Sequence, residues 1–302
     1  MRVKENADRP RFAMDDVCAT TAAHLPAINI AYQPIVNVSA QCIVAYEALV
    51  RGTEGQSYPE LVAGMDAPTL RHFHRRAAAE AIRRAVELGL PRMAAALAIN
   101  ILPDLSSDAP DAQFVHEAAN FFGLSADRIV LELTEDHHLN LAQLGGLLAR
   151  NKEYGFVTGM DDFGAGYSGL TALVECCPEI LKLDRALVSH IDTSDTRQKI
   201  VWAFVQICTS LNIALVAEGV ETPAECHMLR QLGIDIMQGY LFSRPTVDRF
   251  PSLRDCGIIQ SVDAFARRSQ PDITNLWNRC NCIPSRCSCR DSRSRIAFPQ
   301  TA

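Results

Sequence analysis

Residues able to bind cations or move protons close the apolar runs of this chain. The runs are IVAYEALVR at Glu47, LAIN at Asn100, IVLELTE at Glu132 and VTGMDDFG at Asp161 and Asp162. They continue with ILKLD at Lys182 and Asp184, LVAEGVE at Glu218 and IMQGY at Gln238. One such residue reads as a solvated loop acid or helix cap; seven in sequence do not. If the runs are neighbouring strands, their ends converge. Five or more carboxylates brought together cannot all ionise unaided, because like charges raise one another's pKa. Divalent cations resolve that conflict. Oxygen donors without Cys or His favour Mg2+ or Mn2+ over zinc, and two ions about 3.5–4 Å apart are the common arrangement for phosphodiester hydrolysis.

The elements that must position these groups follow from the periodicity. Strands are expected at Ile28–Val36, Cys42–Leu49, Ala96–Ile101, Ile129–Leu133, Phe156–Asp161, Ile180–Asp184, Ile213–Ala217 and Ile234–Met237. Amphipathic helices are expected at Thr69–Leu88, Ala112–Phe122, Ala142–Tyr154, Asp195–Leu211 and Pro223–Leu232. The first of these helices has Asp66 as N-cap and Pro68 in its first turn, and it stops at Gly89. Strands alternating with helices predict an α/β fold, a (β/α)8 TIM-like barrel whose strand ends meet at one mouth. One connection breaks the pattern. Asn37–Gln41 is too short for a crossover helix, so the first strand must be antiparallel to the second.

Composition bounds the rest. The 302 residues carry 29 Lys+Arg against 35 Asp+Glu, a formal net charge of -6. An acidic chain with no basic groove is a poor binder of polymeric nucleic acid or anionic membrane. The longest stretch without a charge, Val17–Tyr46, is interrupted by Pro26, Pro34 and several amides and hydroxyls, so no membrane span is expected. The acidic, polar N-terminus is unlike a secretory signal, and the expected location is cytoplasmic. Of the 11 cysteines, Cys42, Cys176, Cys177, Cys208 and Cys226 are expected as reduced core residues. Cys280, Cys282, Cys287 and Cys289 lie among arginines; their C-x-C-x4-C-x-C spacing differs from paired C-x2-C zinc sites, and an oxidisable tail is the better account. Residues 1–26 read as an N-terminal extension, 27–250 as the barrel, and 251–302 as a C-terminal extension, disordered after about residue 270.

Two patterns mislead. Gly164, Gly166 and Gly169 spell G-x-G-x-x-G with Asp184 downstream, but Asp161 and Asp162 stand where a pyrophosphate would lie. His137–His138 and His72-x-His74 do not share a helix face and read as surface residues.

The motifs Tyr46-Glu47-Ala48-Leu49-Val50-Arg51, Glu132-Leu133-Thr134-Glu135, Asp161-Asp162-Phe163-Gly164, Lys182-Leu183-Asp184, Ala217-Glu218-Gly219-Val220-Glu221-Thr222 and Gln238-Gly239-Tyr240-Leu241-Phe242 stand in register. From Ile28 to Pro245 the sequence resembles the EAL-domain family of bacterial phosphodiesterases. The resemblance implies a metal-dependent enzyme that hydrolyses cyclic di-GMP to linear 5′-pGpG by in-line attack of water. It also implies roles. Glu47, Asn100, Glu132 and Asp161 would ligate one ion, and Asp161 would bridge to a second that Asp162 and Glu218 help hold. Lys182 would contact the hydrolytic water. Glu218 is either base or metal anchor, and Glu221 is a second acid near the mouth. Gln33, Leu49, Arg51 and Gln238 match substrate-contacting positions, and Glu135 matches the residue that tethers the loop after the fifth strand.

Departures from the pattern leave the ligands intact. Ala165 replaces a threonine and Gly169 a serine in that loop, Leu102 stands in place of the usual N-x-S serine, and Gly52 follows Arg51 where tryptophan is common. They bear on regulation and rate. The competing class is an EAL module without turnover, acting as a cyclic di-GMP receptor or a protein-binding regulator. The 27 residues before the first strand are too few for a sensor domain. A homodimer is expected from the resemblance alone.

Overall fold

Strand residues alternate between two faces, and in a closed barrel one of those faces is the interior. The computed structural model, which describes residues 25–102, 111–134, 141–164 and 169–256, shows this alternation in full. Its strands are β1 (Ile28–Asn37), β2 (Cys42–Gly52), β3 (Ala96–Ile101), β4 (Ile129–Thr134), β5 (Val157–Phe163), β6 (Ile180–Leu183), β7 (Ala214–Ala217), β8 (Ile236–Met237) and β9 (Thr246–Val247). The helices are α1 (Tyr58–Val62), α2 (Ala67–Glu87), α3 (Asp111–Phe122), α4 (Leu141–Glu153), α5 (Gly169–Cys176), α6 (Arg185–Val188), α7 (Asp195–Leu211) and α8 (Pro223–Leu232).

Strands β2 to β8 run parallel, in order. Strand β1 closes the barrel by pairing antiparallel with both β2 and β8, and β9 adds to it. The reversed first strand expected from the short Asn37–Gln41 connection is therefore present. Gln41, at φ +52°, and the Asn37 side chain, accepting from Ala40 N at 2.8 Å, shape that turn.

The lower interior is filled by Ile35, Ala45, Ala96, Ala98, Val130, Ile180, Ala214 and Val216. Two residues further along each strand, on the same face, stand Gln33, Glu47, Asn100, Glu132, Lys182 and Glu218. Period two thus turns an apolar plug into a polar mouth with no change in the strands. A larger apolar layer joins the outer strand faces to the helices.

Helix α2 begins as expected: the Asp66 side chain accepts from Thr69 N at 2.9 Å. Asn212 and Gly233, both left-handed, end α7 and α8. Several expectations need correction. Glu47 lies inside β2 rather than at its end, because the β1–β2 ribbon rises beyond its neighbours. Helices α1, α5 and α6 and strand β9 are too short to show a period. Cys177 is exposed, not core, since it leaves α5 at φ +40°. His74 is half-buried, with Nε2 2.8 Å from the Tyr58 hydroxyl. His137, His138 and the Cys-rich segment lie outside the described residues.

Candidate active site

Lys182 of β6 is fully buried at the centre of the mouth. Its Nζ lies 2.6 Å from Glu218 Oε1, 3.1 Å from Asp161 Oδ1, 3.2 Å from Glu132 Oε2 and 3.6 Å from Glu47 Oε2. Burial alone would push the ammonium's pKa down. The carboxylates of Asp161, Glu132, Glu218 and Glu47 outweigh that and hold it well above the ordinary lysine value. Lys182 is thus a fixed positive charge, not a base.

The carboxylates form two groups that share one member. Oxygens of Glu47, Glu132 and Asp161 lie within 4.8 Å of one another, as do those of Asp161, Asp162 and Glu218. Two successive strand residues should point to opposite faces. Asp161 and Asp162 escape that rule because the β5–β6 register breaks between Met160 and Phe163, and Asp162 adopts φ +55°. Gly159 leaves room beside them: a Cβ there would stand 3.3 Å from Glu132 Cγ.

Burial raises the pKa of Glu132 and of Glu218, with Lys182 acting in the opposite direction. Asp162 is pushed up to about 6, first by burial and then by Asp161. Five carboxylates against one ammonium leave four formal negative charges in excess. Glu132 Oε2 is buried, and the one cation beside it, Lys182 Nζ at 3.2 Å, is shared with Glu47, Asp161 and Glu218. Oxygen-only donors and excess negative charge around a single shared ammonium fit hard divalent cations.

Amides fix the frame. Asn100 Nδ2 donates to Glu47 Oε1 at 2.9 Å, leaving its Oδ1 as the atom free for a cation. Gln238 Nε2 donates to Glu47 Oε2 at 2.6 Å and to Gln33 Oε1 at 3.1 Å, and Gln33 Nε2 donates to Ser243 O at 3.0 Å. Above them opens a pocket of about 270 Å3 whose wall includes Leu49, Asp184, Arg185, Glu221 and Tyr240.

Residues 19–245 match the family described as the EAL domain. The chain belongs to the EAL family. Among its curated relatives is the blue light- and temperature-regulated antirepressor BluF of Escherichia coli, 31% identical over 244 residues, 79% of this chain and 59% of BluF. The cyclic di-GMP phosphodiesterase NbdA of Pseudomonas aeruginosa is 33% identical over 227 residues, 72% of this chain and 29% of NbdA. The chain thus spans less than two-thirds of the length of these curated relatives. Among solved structures, a standalone versatile EAL protein of Vibrio cholerae in its c-di-GMP bound form superposes with a TM-score of 0.70 at 33% identity, over 74% of this chain and 94% of that one. BlrP1 of Klebsiella pneumoniae, in a manganese and cyclic di-GMP complex, gives 0.69 at 35% identity, over 73% of this chain and 56% of that one.

Within this EAL barrel, Glu47, Asn100, Glu132, Asp161, Asp162, Lys182 and Glu218 come together, with Gln33, Leu49 and Gln238 beside them. Two expected residues stand apart. The guanidinium of half-buried Arg51 donates to Val50 O at 2.7 Å, and Arg51 does not line the pocket. Glu221 is on the wall but belongs to neither carboxylate group, its Oε2 lying 2.9 Å from Arg185 Nη2. Glu135 and Ala165 lie outside the described residues. Sequence reasoning passed over Arg185 and Glu225; the Thr222-x-x-Glu225 capping box was the available signal for the second.

Proposed function

We propose that this EAL domain hydrolyses cyclic di-GMP to linear 5′-pGpG with two Mg2+ or Mn2+ ions. The observation that carries the reading is the pair of carboxylate groups sharing Asp161 around buried Lys182. Glu47, Asn100, Glu132 and Asp161 would hold one ion, and Asp161, Asp162 and Glu218 the other. Such ions, when bound, supply Lewis acidity toward a phosphodiester and make water more acidic.

The chain's own residues do the rest. Permanently charged Lys182 holds four carboxylates in place and offers a donor to the attacking water. Glu218, its proton affinity raised by burial, is the group suited to accept that water's proton. The water oxygen bonds to phosphorus, the P–O3′ bond breaks, and the ribose oxygen gains a proton. Gln33, Leu49 and Gln238 form the floor against which the substrate is oriented, and Glu135, which follows β4, is assigned the role of tethering the loop after β5. Residues 27–250 are the unit of activity, and its setting is the cytoplasm. No helix among the described residues is long and apolar enough to cross a membrane. The domain acts as a homodimer, a reading supported by Leu170 and Val174 on α5 and Trp202 on α7, which are large, apolar and exposed. Light scattering should give twice the chain mass.

The test is turnover of cyclic di-GMP with Mg2+ or Mn2+, followed by chromatography. The appearance of pGpG, lost in Glu47→Ala, supports the reading. Glu218→Gln retains an oxygen donor; loss of turnover with Mn2+ binding intact makes Glu218 the base. Binding without turnover would instead make the protein a receptor. No binding at all would leave a protein-interaction module, in line with the antirepressor role named for BluF.

A further inference from the structure

Glu225, in the first turn of α8, is a buried carboxylate outside both cation-holding groups. Its Oε1 accepts from His190 N at 2.9 Å, and its Oε2 accepts from Glu221 N and Thr222 N, each at 3.0 Å. The Thr222 hydroxyl closes the capping box by accepting from Glu225 N at 3.2 Å. One side chain therefore joins the turn after α6 to the loop after β7. The first follows the short helix that Arg185 opens, and the second carries Glu221.

The two acids of that loop are supported differently. Glu218 is held by the barrel: Glu218 N donates to Leu183 O, and Val220 N and Gln238 N stitch the loop to β8. Gly239 seals this seam, since a Cβ there would come within 2.0 Å of Val220 O. Glu221 lies beyond these bonds, and the acceptor of its backbone N–H is Glu225. Its carboxylate in turn holds Arg185, whose stem packs under Gly219. Arg185 is the one cationic residue among those that line the pocket.

We infer that Glu225 is a positioning residue that, through Glu221, fixes Arg185 as the pocket's cationic contact for an anionic substrate. The inference rests on the cyclic di-GMP reading above and deepens it. Cyclic di-GMP has two phosphates. The cation-holding groups serve the one that is cleaved, while the second must be met by a side chain on an otherwise acidic wall. A guanidinium is suited to it. Because Glu218 does not depend on Glu225, disturbing Glu225 changes substrate binding and leaves the chemical step.

The experiment measures kcat and KM separately for wild type, Glu225→Ala, Glu225→Gln, Arg185→Gln and Glu225→Ala/Arg185→Gln, with thermal melts of each. Glu225→Ala and Arg185→Gln should each raise KM about 10-fold, the loss of one charge-assisted contact, with kcat changed less than about threefold. The double variant should be no worse than either single one. Glu225→Gln keeps a carbonyl oxygen for the paired Glu221 and Thr222 N–H groups and should recover part of the loss. A lowered melting temperature with unchanged KM would reduce Glu225 to a helix cap and overturn the inference. So would a fall in kcat at constant KM, or additive effects in the double variant. If wild type neither binds nor turns over cyclic di-GMP, the functional reading fails instead, and the two failures are distinct.

Discussion

At the scale of single residues, Lys182 does in the cation-free protein part of what divalent ions do when bound. It neutralises carboxylates that would otherwise repel one another in a buried place. Breaking a buried ion pair from one side leaves the other side uncompensated, which costs about 3–5 kcal/mol. Lys182→Met keeps the volume and removes the charge. Its melting temperature in EDTA should fall well below that of wild type, and Mg2+ or Mn2+ should raise it by more than they raise wild type. Calorimetry with and without the ion checks both; equal ion-induced shifts would mean that the lysine is not the counter-charge. The convergence of these groups was legible in the sequence, because Asn100, Glu132, Lys182 and Glu218 each stand two residues beyond an inward-facing apolar residue. The Glu221–Arg185 pair was not. Arg185 opens the four-residue α6 after β6 and Glu221 lies on the loop after β7, and no periodicity links the two.

At the scale of elements, the strand alternation that reads out the barrel also explains where reading failed. A five-residue helix such as α1 or a four-residue one such as α6 has no second turn in which to repeat. The local signal for α1 is the Ser57-x-x-Glu60 capping box with Pro59 in its first turn, and a tertiary contact secures it: Tyr58 packs against the ring of His74 on α2 and bonds to it. Burial pushes the His74 pKa down to about 4, so at neutral pH the ring is uncharged beside the Tyr58 hydroxyl, 2.8 Å from Nε2. In the unfolded chain the ordinary value is near 6.5. Between these values the unfolded state binds more protons than the folded one, and stability therefore falls as pH falls. The contribution is complete above about pH 6.5 and lost by about pH 4, for up to about 3 kcal/mol. Glutamine keeps an acceptor and cannot titrate. In urea melts at pH 7.5 and 4.5, His74→Gln should lose less stability than wild type. An identical loss would show that the α1–α2 contact carries no charge sensitivity.

At the scale of the whole molecule, the motifs end near Pro245, yet the packing does not. Strand β9 pairs with β1 through Ala31↔Val247 and Tyr32↔Thr246. Phe250 follows, with its ring centroid 4.7 Å from that of Tyr32 and 4.3 Å from that of Tyr46. The Tyr46 hydroxyl donates to Pro251 O at 2.9 Å, and Cys256 is buried. Tyr32 and Tyr46 are themselves inaccessible and lie on β1 and β2, the antiparallel pair that carries Gln33 and Glu47 into the mouth. A segment without recognisable motifs thus covers the outer face of the strand pair that holds Glu47 of the first carboxylate group in place. No periodicity announced it, since a few residues crossing a barrel wall follow neither helical nor strand spacing. A chain that ends after Cys256 keeps every one of these contacts. Ending it after Pro245 strips Phe250 from two buried tyrosines, a change comparable to a Phe→Ala truncation at about 3–5 kcal/mol. Mn2+ affinity should weaken along with stability, because Glu47 shares its strand with Tyr46. Equal stability and metal affinity in the two truncations would make residues 246–256 a passive extension of the barrel.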